Sequence, residues 1–312
     1  MAAAVPSLRE RPRRWVASRD MELPGILVTP EWLAEHLGEP RLRVAHVGWV
    51  HGRPGAAREA FESGHVAGAT YIDVDEDLSA RPFVEGPGRH PLPSPPVFAR
   101  TMSAAGVGDD DAVVVYDRSA GSVAVRLWWM LDATGHRAAV LDGGLGAWKG
   151  PVETGPSHVR PAAPFTARPW PADRVLDATR VAEALATGSA VVLDARAPER
   201  YRGEQEPIDP VAGHVPGAIS APFAENLTPE GRFRPPEEIR ERYRALGVRD
   251  AAGAIAYCGS GVTAVHDLFA MRLAGLGDGW LYEGSWSDWI SDPDRPVATS
   301  DEVTSEPSDR TS

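Results

Sequence analysis

The sequence has little cysteine, little positive charge and no long apolar run. Its single cysteine excludes an intramolecular disulfide framework and is typical of a protein from the reducing cytoplasm. A helix that crosses a bilayer needs about 20 consecutive apolar residues, and no run approaches that length, so we expect no membrane partner. Lys and Arg number 32 against 44 Asp and Glu, and the net charge of −12 argues against nucleic acid as a partner.

The one cysteine, Cys258, follows a short apolar run, Ala254–Tyr257, that is typical of a buried strand. Two glycines follow it within three positions, and apolar residues at helical spacing then begin at Val262. Cys258 is therefore predicted at a strand end and a helix start, where main-chain N–H groups stabilise a thiolate or a persulfide. An inert core cysteine is the alternative, but it would not need a glycine-rich turn. The predicted stabilising loop consists of Gly259, Ser260, Gly261, Val262 and Thr263.

The chain also contains an internal repeat. His65-Val66-Ala67-Gly68-Ala69 recurs as His214-Val215-Pro216-Gly217-Ala218, and Asp117 stands in the first half where Cys258 stands in the second. Chance rarely preserves both residues and spacing, so we predict a duplicated domain. We expect a flexible N-terminal arm, a domain without the cysteine, a Pro-rich linker, a catalytic domain and a disordered tail, with bounds 1–24, 25–150, 151–174, 175–298 and 299–312.

Strands and helices alternate within each half. This pattern predicts the α/β class, with two tandem domains that are each a mostly parallel sheet flanked by helices. Ligands of such sheets bind beyond the carboxyl ends of the strands, where Cys258 is expected.

Three motifs together carry a family resemblance: Asp194-Ala195-Arg196, His214–Ala218, and Cys258-Gly259-Ser260-Gly261-Val262-Thr263-Ala264. In this order they resemble the tandem-domain rhodanese family of sulfurtransferases, over roughly residues 25–298. The resemblance implies two rhodanese-like domains, of which the second is catalytic and the first has lost its cysteine. It also implies a structural role for Asp194 and Arg196.

The resemblance and the chemistry of a thiolate imply a double displacement. Cys258 attacks the outer sulfur of a small anionic donor, which leaves as pyruvate or sulfite. The resulting persulfide then passes its sulfur to an acceptor, for which cyanide, a thiol or thioredoxin are the candidates. The reaction needs no metal and no organic cofactor, and the sequence contains no Cys/His cluster that would hold a metal.

The anionic end of the donor needs a cation. Arg200 matches the arginine with which the family binds substrate, and a guanidinium can hold a carboxylate with two hydrogen bonds. Mercaptopyruvate-preferring members have a second arginine after a Glu-Pro pair, but here Ile208 follows Glu206-Pro207. This departure weakens the assignment of mercaptopyruvate as the donor.

Some mercaptopyruvate-type members place an Asp–His–Ser set across the domain interface. The matching positions are Asp75, His90 and Ser260, and they form a candidate interface set. The alternative for His90 is an exposed loop histidine without a role in the site. Their interface tyrosine has no clear equivalent in this sequence.

The loop that follows Cys258 also distinguishes the alternative functions. A cysteine-loop phosphatase needs an arginine six positions after the cysteine, and Ala264 stands there. Thiosulfate is a dianion and gains from a lysine in the loop, so Ser260 favours 3-mercaptopyruvate over the alternative, thiosulfate:cyanide sulfur transfer. A non-catalytic sulfur-carrier or regulatory module is a further alternative, which a steady-state assay would distinguish.

Overall fold

The computed structural model describes residues 21–84, 86–158 and 160–300. The predicted arm up to residue 20 and the predicted tail from residue 301 lie outside the described residues. Within the described ranges, no helix combines the length and the apolar character that crossing a membrane requires.

The first half alternates strands and helices. Its strands are β1 (Leu27–Val28), β2 (Leu42–Gly48), β3 (His65–Val66), β4 (Thr70–Asp73), β5 (Ala112–Tyr116), β6 (Arg137–Leu141) and β7 (Val152–Glu153). Its helices are α1 (Pro30–His36), α2 (Ala56–Ser63), α3 (Pro95–Ala104), α4 (Ala124–Ala133) and α5 (Gly144–Ala147).

The second half repeats this alternation. Its strands are β8 (Val175–Leu176), β9 (Val191–Asp194), β10 (Ile219–Ser220), β11 (Ala254–Tyr257) and β12 (Trp280–Tyr282). Its helices are α6 (Ala178–Thr187), α7 (Pro198–Tyr201), α8 (Pro236–Ala245), α9 (Ala264–Leu273) and α10 (Ser285–Trp289), with 3₁₀ turns at Phe223–Asn226 and Ala251–Gly253.

Each half contains a parallel sheet of five strands within the described residues. The strand order is β1-β6-β5-β2-β4 in the first and β8-β12-β11-β9-β10 in the second, so each strand has a counterpart at the same place. The central strands β5 and β11 are buried throughout, as expected where helices cover both faces of a parallel sheet. This correspondence confirms the predicted duplication and fold class.

The two halves share one continuous core. Helices α4 and α9 pack against each other there, and the rings of Trp128 and Phe269 meet edge to face at 4.7 Å between centroids. Both helices start directly after the loops that follow the central strands. The helix pair therefore brings loops of the first half close to the loop of Cys258.

Contacts within the described residues extend past two of the predicted domain bounds. Met21 is buried in the core of the first half and Leu23 packs against it, so contacts of this half begin before residue 25. The main-chain N–H of Ser300 donates to the carbonyl of Arg202 at 3.0 Å, so the second half continues past residue 298. The linker runs along the first half, where Ser157 Oγ accepts a hydrogen bond from the N–H of Tyr71. Local composition could not reveal these contacts.

Candidate active site

Cys258 lies at the carboxyl end of β11 and is almost fully buried, with 2% of its surface exposed. Its main-chain N–H donates to Ser285 Oγ at 3.1 Å, and the N–H of Ser260 points at its Sγ from 3.5 Å. Helix α9 begins at Ala264, two residues later than the apolar spacing predicted. Val262 and Thr263 therefore lie in the loop between β11 and α9.

The two glycines of this loop are needed for different reasons. Gly261 has a positive φ of +78°, and a Cβ there would stand 2.3 Å from the carbonyl oxygen of Glu283. A Cβ at Gly259 would stand 3.0 Å from Nη2 of Arg89 and 3.6 Å from Nη2 of Arg200. Gly261 therefore allows the tight turn, and Gly259 allows two guanidinium groups to approach the residue next to the cysteine.

The equivalent loop of the first half holds an acidic side chain, Asp117. The carboxylate of Asp117 takes the place of the cysteine sulfur and accepts four main-chain N–H bonds of 2.8 to 2.9 Å. The donors are Ser119, Gly121, Val123 and Ala124. The repeat thus shows, within this chain, that a strand, a tight loop and a helix start can direct four main-chain N–H groups at one side chain.

Two arginines from different halves flank Gly259. Arg200 pairs with Glu206 through bonds of 2.6 and 3.1 Å and with Asp209 at 3.1 Å. Arg89 pairs with the same Asp209, and its main-chain N–H donates to Ser287 Oγ at 3.1 Å. Burial lowers the pKa of Arg89, and the electrostatic interaction with Cys258 opposes that shift. The sequence predicted Arg200 but not Arg89 or Asp209.

Asp75, His90 and Ser260 form a hydrogen-bonded chain on the other side of the loop. Nδ1 of His90 lies 2.7 Å from Ser260 Oγ, and Nε2 lies 2.8 Å from Asp75 Oδ1. The ring of His90 is buried, with 5% of the residue exposed, so the alternative of an exposed loop histidine is wrong. Trp49 Nε1 donates to the same Asp75 oxygen at 3.0 Å and helps to fix this carboxylate.

The protonation states of Asp75 and His90 follow from their surroundings. Burial lowers the pKa of His90, and the hydrogen bond from His90 lowers the pKa of Asp75. An ionised Asp75 accepts the Nε2–H of a neutral imidazole, which leaves Nδ1 as an acceptor for the Ser260 hydroxyl. Ser260, two residues from the cysteine, therefore has a base at its oxygen.

Arg126 connects the two sides of the interface. Its guanidinium donates to the carbonyls of Gly261 at 3.1 Å, His90 at 2.7 Å and Leu78 at 3.1 Å. Burial lowers its pKa to about 10, so it is still a cation at neutral pH. Arg126 was not predicted from the sequence, although a charged side chain in the apolar first turns of α4 was a signal.

Asp194 and Arg196 have the structural role that the resemblance implies. Both are buried, and Arg196 Nη2 lies 2.6 Å from Asp194 Oδ2. The guanidinium of Arg196 also covers the Trp286 ring at 4.7 Å. This pair closes the end of β9 beside the cysteine strand and is fully occupied by its own contacts.

A cavity of about 410 Å³ opens beside the histidine end of the site. Its lining includes Trp49, Asp75, Arg89 and His90. A donor that enters through this cavity would meet the guanidinium of Arg89 and the imidazole of His90, which both border the loop of Cys258.

The comparisons with known proteins agree with this geometry. The model of the rhodanese-like domain matches residues 29–151 and 177–292. The chain is 46% identical over 282 residues to a probable 3-mercaptopyruvate sulfurtransferase of Pseudomonas aeruginosa, and the match covers 88% of this chain and 98% of that protein. It is 36% identical to a putative thiosulfate sulfurtransferase, SseB, of Mycobacterium tuberculosis, with coverage of 87% and 96%.

Among solved structures, the chain is similar to SseA from Escherichia coli, a 3-mercaptopyruvate sulfotransferase. The TM-score is 0.72 and the sequence identity 31%, and the match covers 84% of this chain and 99% of that one. The match is long enough to include both halves of this chain.

Proposed function

Because the chain belongs to the rhodanese family of sulfurtransferases, we propose that it moves a sulfane sulfur from 3-mercaptopyruvate to a thiophilic acceptor through a persulfide on Cys258. The observation that carries this proposal is the contact between His90 and Ser260. It puts a neutral base within reach of the cysteine loop, and 3-mercaptopyruvate is a donor whose sulfur must lose a proton.

Binding orients the donor. The carboxylate of 3-mercaptopyruvate lies against the guanidinium of Arg200, and its sulfur then points toward Cys258 in the adjacent loop. Holding the two reactants in one geometry removes much of the entropic barrier to their reaction.

Sulfur transfer breaks one C–S bond and forms one S–S bond. The Cys258 thiolate attacks the donor sulfur, and the electron pair of the C–S bond moves to the carbon as the enolate of pyruvate. The S–H proton passes to Ser260 Oγ while Ser260 gives its own proton to Nδ1 of His90. The same path returns a proton to the enolate carbon, which completes pyruvate.

The persulfide remains negatively charged in the N–H cradle of the loop. A second nucleophile then attacks its outer sulfur and regenerates the thiolate of Cys258. Cyanide, a small thiol and thioredoxin are the acceptors we propose. A free reactive thiolate is stable only where thiols stay reduced, so we propose the cytoplasm as the location.

Thiosulfate is the second candidate donor, because Arg89 adds a cation beside Gly259. We expect wild-type protein to prefer 3-mercaptopyruvate by kcat/KM, since the loop itself carries no fixed cation. Ser260→Lys should shift the ratio of the two kcat/KM values toward thiosulfate, because the ammonium would meet the sulfite leaving group and the proton path would be lost. Steady-state assays of both donors with cyanide measure this ratio. A wild type that already favours thiosulfate would refute the argument from the loop, and a lack of turnover with either donor would favour a sulfur carrier.

We expect Arg200→Ala to reduce kcat/KM for both anionic donors. A hydrogen bond to a charged group contributes about 1.5–3 kcal/mol, which corresponds to roughly ten- to more than hundredfold. Persulfide formation from an uncharged organic trisulfide should stay nearly unchanged, because that donor has no anionic end. Unaltered kinetics with both anionic donors would remove Arg200 from the donor site.

A further inference from the structure

Asp209 is a carboxylate shared by two arginines that come from different halves of the chain. Arg89 of the first half pairs with its Oδ1, and Nη2 of Arg200 in the second half lies 3.1 Å from its Oδ2. The Asp209 side chain is 2% exposed, so water and salt screen its charge little. Both guanidinium groups border Gly259, next to the reacting cysteine.

Arg89 has hydrogen-bonding capacity that its contacts leave unused. Its Nε is buried and has no hydrogen-bond partner among the residues that the structure describes. A buried donor without an acceptor is unfavourable. Arg89 also lines the adjacent cavity, through which an anionic ligand would reach its guanidinium. The hydrogen bond from its main-chain N–H to Ser287 anchors the Arg89 backbone to the second half.

We propose that Arg89 is a second donor-binding residue and that Asp209 cancels its charge, which makes the site favour a monoanionic donor over a dianionic one. The proposal rests on the proposed function and assigns its donor specificity. Arg89 offers directed N–H groups, while the pair with Asp209 adds no net charge. Without Asp209, the charge of Arg89 would attract the two charges of thiosulfate about twice as strongly as the single charge of 3-mercaptopyruvate, so the pairing removes an advantage of the dianion.

The test is the ratio of kcat/KM for thiosulfate to kcat/KM for 3-mercaptopyruvate, measured at one pH and one ionic strength. Asp209→Asn removes one negative charge and should raise this ratio about tenfold, or about 1.4 kcal/mol. A fraction of misfolded enzyme cancels in the ratio, so a purely structural role of Asp209 would not move it. A ratio unchanged within about twofold, or a fall, overturns the proposal.

Arg89→Gln provides an independent test with the opposite sign. This variant leaves the charge of Asp209 less compensated, so the ratio should fall about tenfold while kcat/KM falls for both donors. Arg89→Gln still tests the proposal if Asp209→Asn does not fold. Equal losses for both donors, or none, would contradict the charge-setting role of the pair.

The chain contains a matched control for these variants. Asp132, near the end of α4, is likewise shared by two arginines, Arg174 and Arg272. Arg272 is in the last turn of α9, whereas the cysteine loop precedes the first turn of that helix. Asp132→Asn changes the net charge equally and should leave the ratio as in the wild type. If Asp132→Asn raised the donor ratio as much as Asp209→Asn does, the effect would come from the net charge of the protein, and the proposal would be overturned. If the wild type turns over 3-mercaptopyruvate but the variants do not change the donor ratio as expected, only the role proposed for Arg89 and Asp209 is refuted. If the wild type turns over thiosulfate alone, the proposed function is contradicted as well.

Discussion

Cys258→Ser is expected to reduce turnover with every sulfur donor to background. The hydroxyl of serine stays protonated where a thiol ionises, and an oxygen cannot hold the transferred sulfur as a persulfide. No other residue can substitute, because the sequence has no second cysteine. Steady-state assays with 3-mercaptopyruvate and with thiosulfate, each with cyanide as acceptor, measure the loss.

The serine variant is a fair test because it keeps the shape of the loop. The main-chain N–H of residue 258 still donates to Ser285 Oγ, and the glycine turn is untouched. Its melting temperature should therefore be close to that of the wild type. Substantial activity in a folded serine variant would refute the persulfide mechanism.

His90→Gln is expected to reduce kcat for 3-mercaptopyruvate about 10²–10⁴-fold, the usual contribution of a general acid–base group. Thiosulfate carries no proton on its sulfur, so its turnover should change less than about threefold. The neutral glutamine keeps a polar contact with Ser260 but cannot accept its proton. Equal losses with both donors would indicate that His90 only supports the loop.

The pH dependence gives the same test without a comparison of absolute rates. Burial lowers the pKa of His90 below its usual 6.5. The imidazole is therefore neutral at pH 6.5 and above, and it becomes protonated only in more acidic solution. The ratio of kcat/KM for 3-mercaptopyruvate to that for thiosulfate should then fall on the acid side in the wild type. In His90→Gln this acid-side fall should disappear.

A second Asp–His–hydroxyl chain in the molecule serves as the control. His136 lies 3.1 Å from Asp109 through Nε2 and 2.9 Å from Thr134 Oγ1 through Nδ1, directly before the amino end of β6. Ligand sites of parallel sheets lie at the carboxyl ends of the strands, so these three hydrogen-bonded residues are remote from the site. His136→Gln should leave the ratio of the two donors as in the wild type.

The parts of the site that depend on neighbouring residues were predictable from the sequence. An apolar strand, a cysteine, two glycines and a helical pattern follow one another directly, and they form β11, the loop and α9 as expected. Only the start of α9 was placed too early, because Val262 is apolar and buried in the loop rather than in the helix.

The parts that depend on the interface were harder to predict. Residues 90 and 260 lie far apart in the sequence, and only the family resemblance brought them together before the structure did. Arg89, Arg126 and Asp209 were missed because each makes one of its contacts with the other half of the chain. The family pattern places a second arginine near Ile208, in the second half, whereas the second guanidinium beside Gly259 is that of Arg89, from the first half.

The mass of the intact protein after treatment with 3-mercaptopyruvate tests the central claim most directly. We predict a gain of one sulfur atom in the wild type, its loss on addition of cyanide, and no gain in Cys258→Ser. A wild type that turns over without ever gaining this mass, or a serine variant that gains it, would contradict a persulfide on Cys258.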